Sequence, residues 1–144
     1  MADWLGYFGR FWQNFLRGAG VTLQLTVVGI FIGFVLGLLL ALARSYGPKW
    51  LQNLAGAYIA VFRGTPLLVQ LFIIYYGLPD LGLTFSQTVA SYLALGLNSA
   101  AYQAEYLRGS ILAIGRQQMQ AGLSIGLSKW KTIRHIILPQ ALRL

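Results

Sequence analysis

Asn98, Tyr102 and Glu105 follow one another at intervals of four and three residues, and Ser91 stands seven before Asn98. On a helix all four share one face. An amide, a phenol and a carboxylate aligned in this way can hydrogen-bond a polar solute or a neighbouring helix, but they lack the paired acid, base or nucleophile that bond cleavage needs. For Asn98 and Tyr102 two readings stand, interhelical hydrogen bonding and a place along the path of a polar solute. For Glu105 an ion pair with Arg108, its i+3 neighbour, stands beside contact with such a solute. A cationic solute would suit Glu105 and a neutral amide Asn98.

Little other chemistry is on offer. Asp3, Asp80 and Glu105 are the only acids and lie far apart, His135 is the single histidine, and cysteine is absent. Disulfides and thiolate metal sites are therefore excluded and other metal chemistry has almost no support, and His135 beside Arg134 on a basic stretch reads as an ordinary surface or interface residue. No Gly-x-x-x-x-Gly-Lys-Ser/Thr run is present, so nucleotide hydrolysis is not expected on this chain.

Such a polar face must be held by something apolar, and the rest of the 144 residues supply it: 57% are hydrophobic, 10% charged, and mean hydropathy is +0.63. A soluble domain of this length would lack the polar residues to cover its surface, so a lipid bilayer is the expected solvent. Polar groups facing lipid are costly, which turns the Asn98 face toward a bundle interior or a water-filled path.

Three apolar segments emerge. Residues 21–43 carry no charge over 23 residues, about 34 Å of helix against a hydrocarbon core of about 30 Å. Gly29, Gly33 and Gly37 fall four apart within it and predict a smooth stripe against another helix. Residues 51–78 form a second segment broken at Arg63-Gly64-Thr65-Pro66, where Thr65 is expected to cap a helix restarting at Pro66. Residues 85–107 form the third. An aromatic-rich stretch over 1–18 (Trp4, Tyr7, Phe8, Phe11, Trp12, Phe15) predicts an interfacial N-terminal helix.

Net charge is +8, and its placement matters more than its size: six of eleven Lys/Arg lie from Arg108 onward and none between Gly64 and Leu107. That is the pattern of basic cytoplasmic flanks, and it sets the N-terminus outside and the tail in the cytoplasm of a multi-pass chain. In the tail, 110–144, Gly126 reads as a helix stop and Ser128 as the next N-cap. Trp130, Ile133, Ile136 and Ile137 are expected to form one apolar face, with Pro139 ending the helix.

Two stretches and the tail resemble the permease subunits of bacterial polar amino acid ATP-binding-cassette importers, of the type serving histidine, glutamine or arginine. Phe62-Arg63-Gly64-Thr65-Pro66-Leu67-Leu68-Val69-Gln70 is similar to that family's second-segment signature, and Leu97-Asn98-Ser99-Ala100-Ala101-Tyr102 with Glu105, Arg108 and Gly109 to its third. Gln120-Ala121-Gly122, then Gly126, then Ile136-Ile137-Leu138-Pro139 resembles the ATPase-docking motif in spacing, with Gln120 for the usual Glu and Gly122 for the usual Ala. The substitutions are expected to weaken docking by about 0.3–2 kcal/mol and about 1 kcal/mol respectively.

The resemblance implies an all-α integral membrane bundle with coupling helices. It implies a substrate path touching Asn98, Tyr102 and Glu105, and coupling through Gln120, Ala121, Gly122, Gly126, Ile136, Leu138 and Pro139. It also implies cassette ATPase subunits that carry the ATP and Mg²⁺, a second permease subunit, an extracytoplasmic amino-acid-binding protein, lipid contact and location in the inner membrane. No cofactor is expected on this chain. The family continues through two further membrane helices, so a C-terminally truncated permease is expected. A subunit that only sequesters its ATPase is an alternative, and a membrane-anchored nucleic-acid binder using the basic tail ranks last, with no nucleic acid expected as a partner.

Overall fold

The computed structural model describes the backbone of residues 2–143 and the side-chain surroundings of residues 11–143 apart from Gly115 and Arg116. The order is α1 (Ala2–Tyr46), α2 (Lys49–Gly64), α3 (Leu67–Phe72), α4 (Gln87–Ala113), α5 (Gly115–Ser124), α6 (Lys129–Thr132) and α7 (Leu138–Ala141). A π turn over Ile73–Gly77 and a 3-10 turn over Leu78–Leu81 prolong α3, and a second π turn over Ile133–Ile137 joins α6 to α7. The expected all-α bundle is what forms.

The interfacial helix expected over 1–18 and the first apolar segment are one helix. Gly18 and Gly20 do not break it. An exposed mid-helix glycine costs about 1 kcal/mol, which its apolar neighbours outweigh. Trp4, Tyr7 and Phe8 have side chains outside the described residues, while Phe11, Trp12 and Phe15 are exposed and stacked along the helix.

Among the described residues, Phe11–Tyr46 is the one helix apolar and long enough to cross a membrane by itself, with mean hydropathy 2.8 over its best window. The second segment meets that test only as a pair, α2 with Leu67–Leu81, bent by 105°. α4 has length enough at 27 residues, but Ser91, Asn98, Ser99, Gln103 and Glu105 dilute its apolarity. Of three expected membrane segments, one therefore stands on composition alone.

α1 and α4 run parallel and in close contact. A Cβ on Gly33 would lie 2.5 Å from Ser99 Oγ, and one on Gly37 would lie 3.0 Å from the Ala100 carbonyl; from the other side, a Cβ on Gly96 would lie 2.6 Å from Ile32 Cγ2. The glycine stripe read from sequence is this interface, reinforced by Gln103 Nε2, which donates to the Ile30 carbonyl at 3.2 Å. Gln24 donates to the Tyr92 hydroxyl further up the same pair.

The tail folds back onto the ends of α1 and α4. Gly126 takes φ +82°, with Leu127 N–H donating to Gly122 O and Gly126 N–H to Leu123 O, both at 3.0 Å, a Schellman stop for α5. Ser128 then caps α6, its hydroxyl accepting from Lys131 N–H. Ile133, Ile137 and Ala141 are buried against Ala41 and Ile111, with Tyr46, Leu107 and Met119 around them.

Trp130 lines a cleft together with Ile133, Leu39 and Leu42, though it is itself 60% exposed. One expectation is corrected in the tail. Pro139 does not end the helix but sits in the first turn of α7. Leu138 N–H reaches back five residues to Ile133 O, so the carbonyls that a proline ring would strike are turned aside. The same device precedes Pro79, where Leu78 N–H donates to Ile73 O.

Candidate functional site

The break between α2 and α3 is where the polar residues of three elements meet. The residue before a proline is driven out of the helical region, and Thr65 accordingly has φ −116°, ψ 142°. This corrects the expected capping. Thr65 closes α2, Pro66 itself is the N-cap with its carbonyl accepting from Val69 and Gln70 N–H, and α3 starts at Leu67. The Thr65 hydroxyl donates back to Val61 O at 2.8 Å rather than capping α3.

A break leaves the last carbonyls of α2 without partners, and in an apolar setting these must be satisfied. Gln70 does so. Only 7% exposed, its Nε2 donates to Phe62 O (2.9 Å), Thr65 O (3.1 Å) and Thr65 Oγ1 (2.8 Å). Asn98 completes the network from α4: its Nδ2 donates to Gln70 Oε1 at 3.2 Å and to Phe62 O at 3.3 Å. Asn98 is thus an interhelical tie. Gln70 was missed as a site residue in sequence, although a glutamine one turn beyond a helix break was the available signal.

Glu105 lies further along the same face of α4. Its carboxylate takes Arg44 from the end of α1 on Oε1 and Arg108 on both oxygens, at 3.2 Å from Nε and 3.0 Å from Nη2, while Arg63 Nη1 of α2 stands 3.9 Å from Oε2. The expected i+3 pair with Arg108 forms, and two further arginines not foreseen join it. Tyr102 is exposed, with the Arg63 guanidinium 5.3 Å above its ring centre. All three candidate path residues therefore face α2 and the break, and Arg63 touches two of them.

A cleft of about 550 Å³ lies elsewhere. Its walls are Leu36, Leu39, Leu40, Leu54 and similar residues, and Tyr58, the one polar side chain there, spends its hydroxyl on Leu97 O at 2.8 Å. It suits hydrocarbon, not a polar solute. No group of three metal-ligating side chains comes together among the described residues.

The docking-motif residues form a separate constellation at the tail. Gln120, Ala121 and Gly126 are exposed, and so are Leu123 and Ile125, the latter at 75%. Gly122 instead faces inward: a Cβ there would lie 2.6 Å from Thr132 Oγ1 of the fully buried Thr132. Its glycine fits the approach of α6 rather than subtracting from the outer surface. Ile136 and Leu138 are half-buried, and Pro139 is exposed.

Replacing Gln70 by leucine is expected to leave Thr65 O unpaired and Phe62 O with its bond from Asn98 alone, at about 1–3 kcal/mol of stability. The unfolding temperature of the detergent-solubilised subunit should fall clearly for Gln70→Leu and at least as much for Gln70→Glu, whose carboxylate would set an acceptor against Phe62 O and Thr65 O; equal unfolding of wild type and Gln70→Leu would refute the network's role.

Residues 33–144 match the family described as binding-protein-dependent transport system inner membrane component. The chain is 44% identical over 129 residues to the probable amino-acid ABC transporter permease protein YckA of Bacillus subtilis (strain 168), covering 90% of this chain and 57% of that one. It is 44% identical over 131 residues to the glutamine transport system permease protein GlnP of Escherichia coli (strain K12), covering 89% and 59%. A crystal structure of an amino acid ABC transporter with histidines superposes with TM-score 0.73 at 36% identity, over 91% of this chain and 64% of the other. The chain spans under three-fifths of the length of these two sequence relatives. With its glycine-seamed helices, its broken second segment and its folded-back tail, the chain belongs to the family of binding-protein-dependent transport system inner membrane components.

Proposed function

We propose that the chain serves as a membrane subunit of an ATP-driven importer of polar amino acids. The observation that carries this is the tail: a short helix, α5, stopped at Gly126 and braced by Ile133 and Ile137 against α1 and α4, with Ala121, Leu123 and Ile125 exposed. A rigid projection coupled to the ends of two long helices can pass ATPase closure to them as rigid-body motion. Relatives named as glutamine, arginine and cystine permeases support the solute class.

On this reading α1, the α2–α3 pair and α4 cross the membrane with the N-terminus outside and the tail in the cytoplasm, as the basic residues after Leu107 favour. Cassette ATPase subunits hold ATP and Mg²⁺ and dock on α5. A second permease subunit completes the path, and an extracytoplasmic binding protein delivers the amino acid.

The test is co-purification of the full-length subunit with its cassette ATPase. Ile125→Asp places a charge on an exposed apolar surface without touching the packing behind it, and capture is expected to fall at least tenfold at unchanged subunit yield, the scale of a 1.4 kcal/mol loss. Undiminished capture would remove α5 as the docking element.

A further inference from the structure

Among the described residues no acid pairs with Lys129, since every ion pair there is made by Glu105. Lys129 Nζ donates to the Tyr46 carbonyl at the end of α1, at 3.2 Å, and stands 5.7 Å from the centre of the Tyr46 ring. An ammonium carries three N–H donors, so this exposed side chain has two left over. They stand at the rim of a cleft of about 480 Å³, where α1 and α2 meet the tail, with Leu39, Leu42, Leu51, Trp130 and Ile133 among its walls.

Leu39, Ala43 and Leu51 are also walls of the apolar cleft described above, which continues to Leu36 and Leu54. Tyr46 and Leu36 are ten residues apart on α1, about 15 Å of helix. The joined clefts are thus graded, with an ammonium at one end and hydrocarbon at the other. A polar solute would gain nothing from the inner walls, and an uncharged helix would cover the ammonium without pairing it. A phospholipid satisfies both ends. The surroundings of the rim suit a headgroup level: Trp50 and Trp130 are exposed, and Lys49, also exposed, lies in sequence between the wall residues Gly47 and Leu51. A zwitterionic headgroup brings its own ammonium to compete with Lys129 for the phosphate, whereas a net-negative one leaves the phosphate to the lysine.

We propose that this cleft binds one phospholipid of net-negative headgroup, its phosphate on Lys129 and one acyl chain along Leu39, Ala43 and Leu51. The inference needs α1 to cross a bilayer but is independent of the solute carried. A lipid held there joins the tail to the ends of α1 and α2.

Native mass spectrometry of the full-length subunit in detergent tests this, with phosphatidylglycerol, phosphatidylcholine of the same chains and glycerol 3-phosphate as probes. Wild type should retain one phosphatidylglycerol, roughly fivefold or more in preference to phosphatidylcholine, the scale of one basic contact near an anionic headgroup. Glycerol 3-phosphate should not compete. Lys129→Gln should lose the preference and Lys129→Arg should keep it. Lys131→Gln, exposed two residues on but not among the cleft walls, should keep it too. Ala43→Phe, which fills the wall common to both clefts, should lower retention of both lipids while eluting as wild type does. Equal retention of the two lipids by wild type, or of neither, overturns the proposal. Equal loss of preference in Lys129→Gln and Lys131→Gln would mean diffuse attraction to the basic tail, competition by glycerol 3-phosphate would mean a free-phosphate site, and displacement of the lipid by a second copy of the subunit would make the cleft a protein interface. Each of these also overturns it. The importer reading stands or falls separately, on ATPase capture by Ile125→Asp.

Discussion

Replacing Glu105 by glutamine is expected to loosen the contact of three helices at once. The substitution keeps the shape and removes the charge that holds Arg44 of α1 and Arg108 of α4 together with Arg63 of α2 nearby. Exposed ion pairs contribute about 0–1 kcal/mol, whereas removing one partner of a buried pair costs about 3–5 kcal/mol because the other charge is left uncompensated. Glu105, 21% exposed and shared by three arginines, falls between these limits, and a loss of about 2 kcal/mol is expected. Thermal unfolding of the full-length subunit in detergent reads it directly. A coupling test separates charge from shape: if the ion pair is responsible, Glu105→Gln combined with Arg44→Leu should cost at least 1 kcal/mol less than the sum of the two single changes. Additive effects would reduce Glu105 to a packing role.

This cluster also illustrates where the sequence stops being informative. An i+3 pair is legible because helical geometry alone brings Glu105 to Arg108, but Arg44 and Arg63 reach the same carboxylate only through the way α1 and α2 pack on α4. Gln70 is hidden for the same reason: it follows a break that sequence locates well, yet its three bonds depend on carbonyls turned by the bend. The glycine stripe and the Gly126 stop were readable because each is set by local spacing or local backbone conformation. Pro139 was misread because a π turn, for which no residue pattern is diagnostic, lets the helix run through it.

Gly122 shows a second kind of limit. Compared with a motif that has alanine there, glycine reads as a loss of helix propensity. In the fold it is the clearance for Thr132, so the same residue that weakens α5 as an isolated helix lets α6 seat against it. The net effect on coupling depends on the seating, which spacing does not report.

The seam between α1 and α4 yields the other large expected effect. Gly33→Leu is expected to prevent the two helices from reaching their packed distance. A Cβ alone at Gly33 would already lie 2.5 Å from Ser99 Oγ, 2.6 Å from Ser99 Cβ and 2.7 Å from Gln103 Nε2, and none of these can withdraw freely because Gln103 is tied to Ile30 O and Ser99. Overpacking a dense site typically costs about 1–3 kcal/mol. Here the leucine must also break the Gln103 bonds, so a loss of about 3 kcal/mol or more is expected, enough to cost a marginally stable subunit its folded state. Gly29→Ala should be milder, since its Cβ would meet Leu95 Cβ at 3.0 Å, and Gly18→Ala, with nothing within 4 Å, should leave stability unchanged or slightly improved. The measurement is the fraction of full-length protein eluting as a monodisperse species after a heat step. A graded loss in the order Gly33→Leu, Gly29→Ala, Gly18→Ala supports a packed seam, whereas Gly33→Leu behaving like Gly18→Ala would mean that α1 and α4 do not approach each other this closely in the membrane. On the proposed importer reading the seam would also carry motion at the tail to the break, because α4 carries Asn98 and Glu105 at one level and Ile111, packed under Ile133 and Ile137, at another. A subunit that keeps its fold but loosens this seam should therefore still capture the ATPase while losing transport.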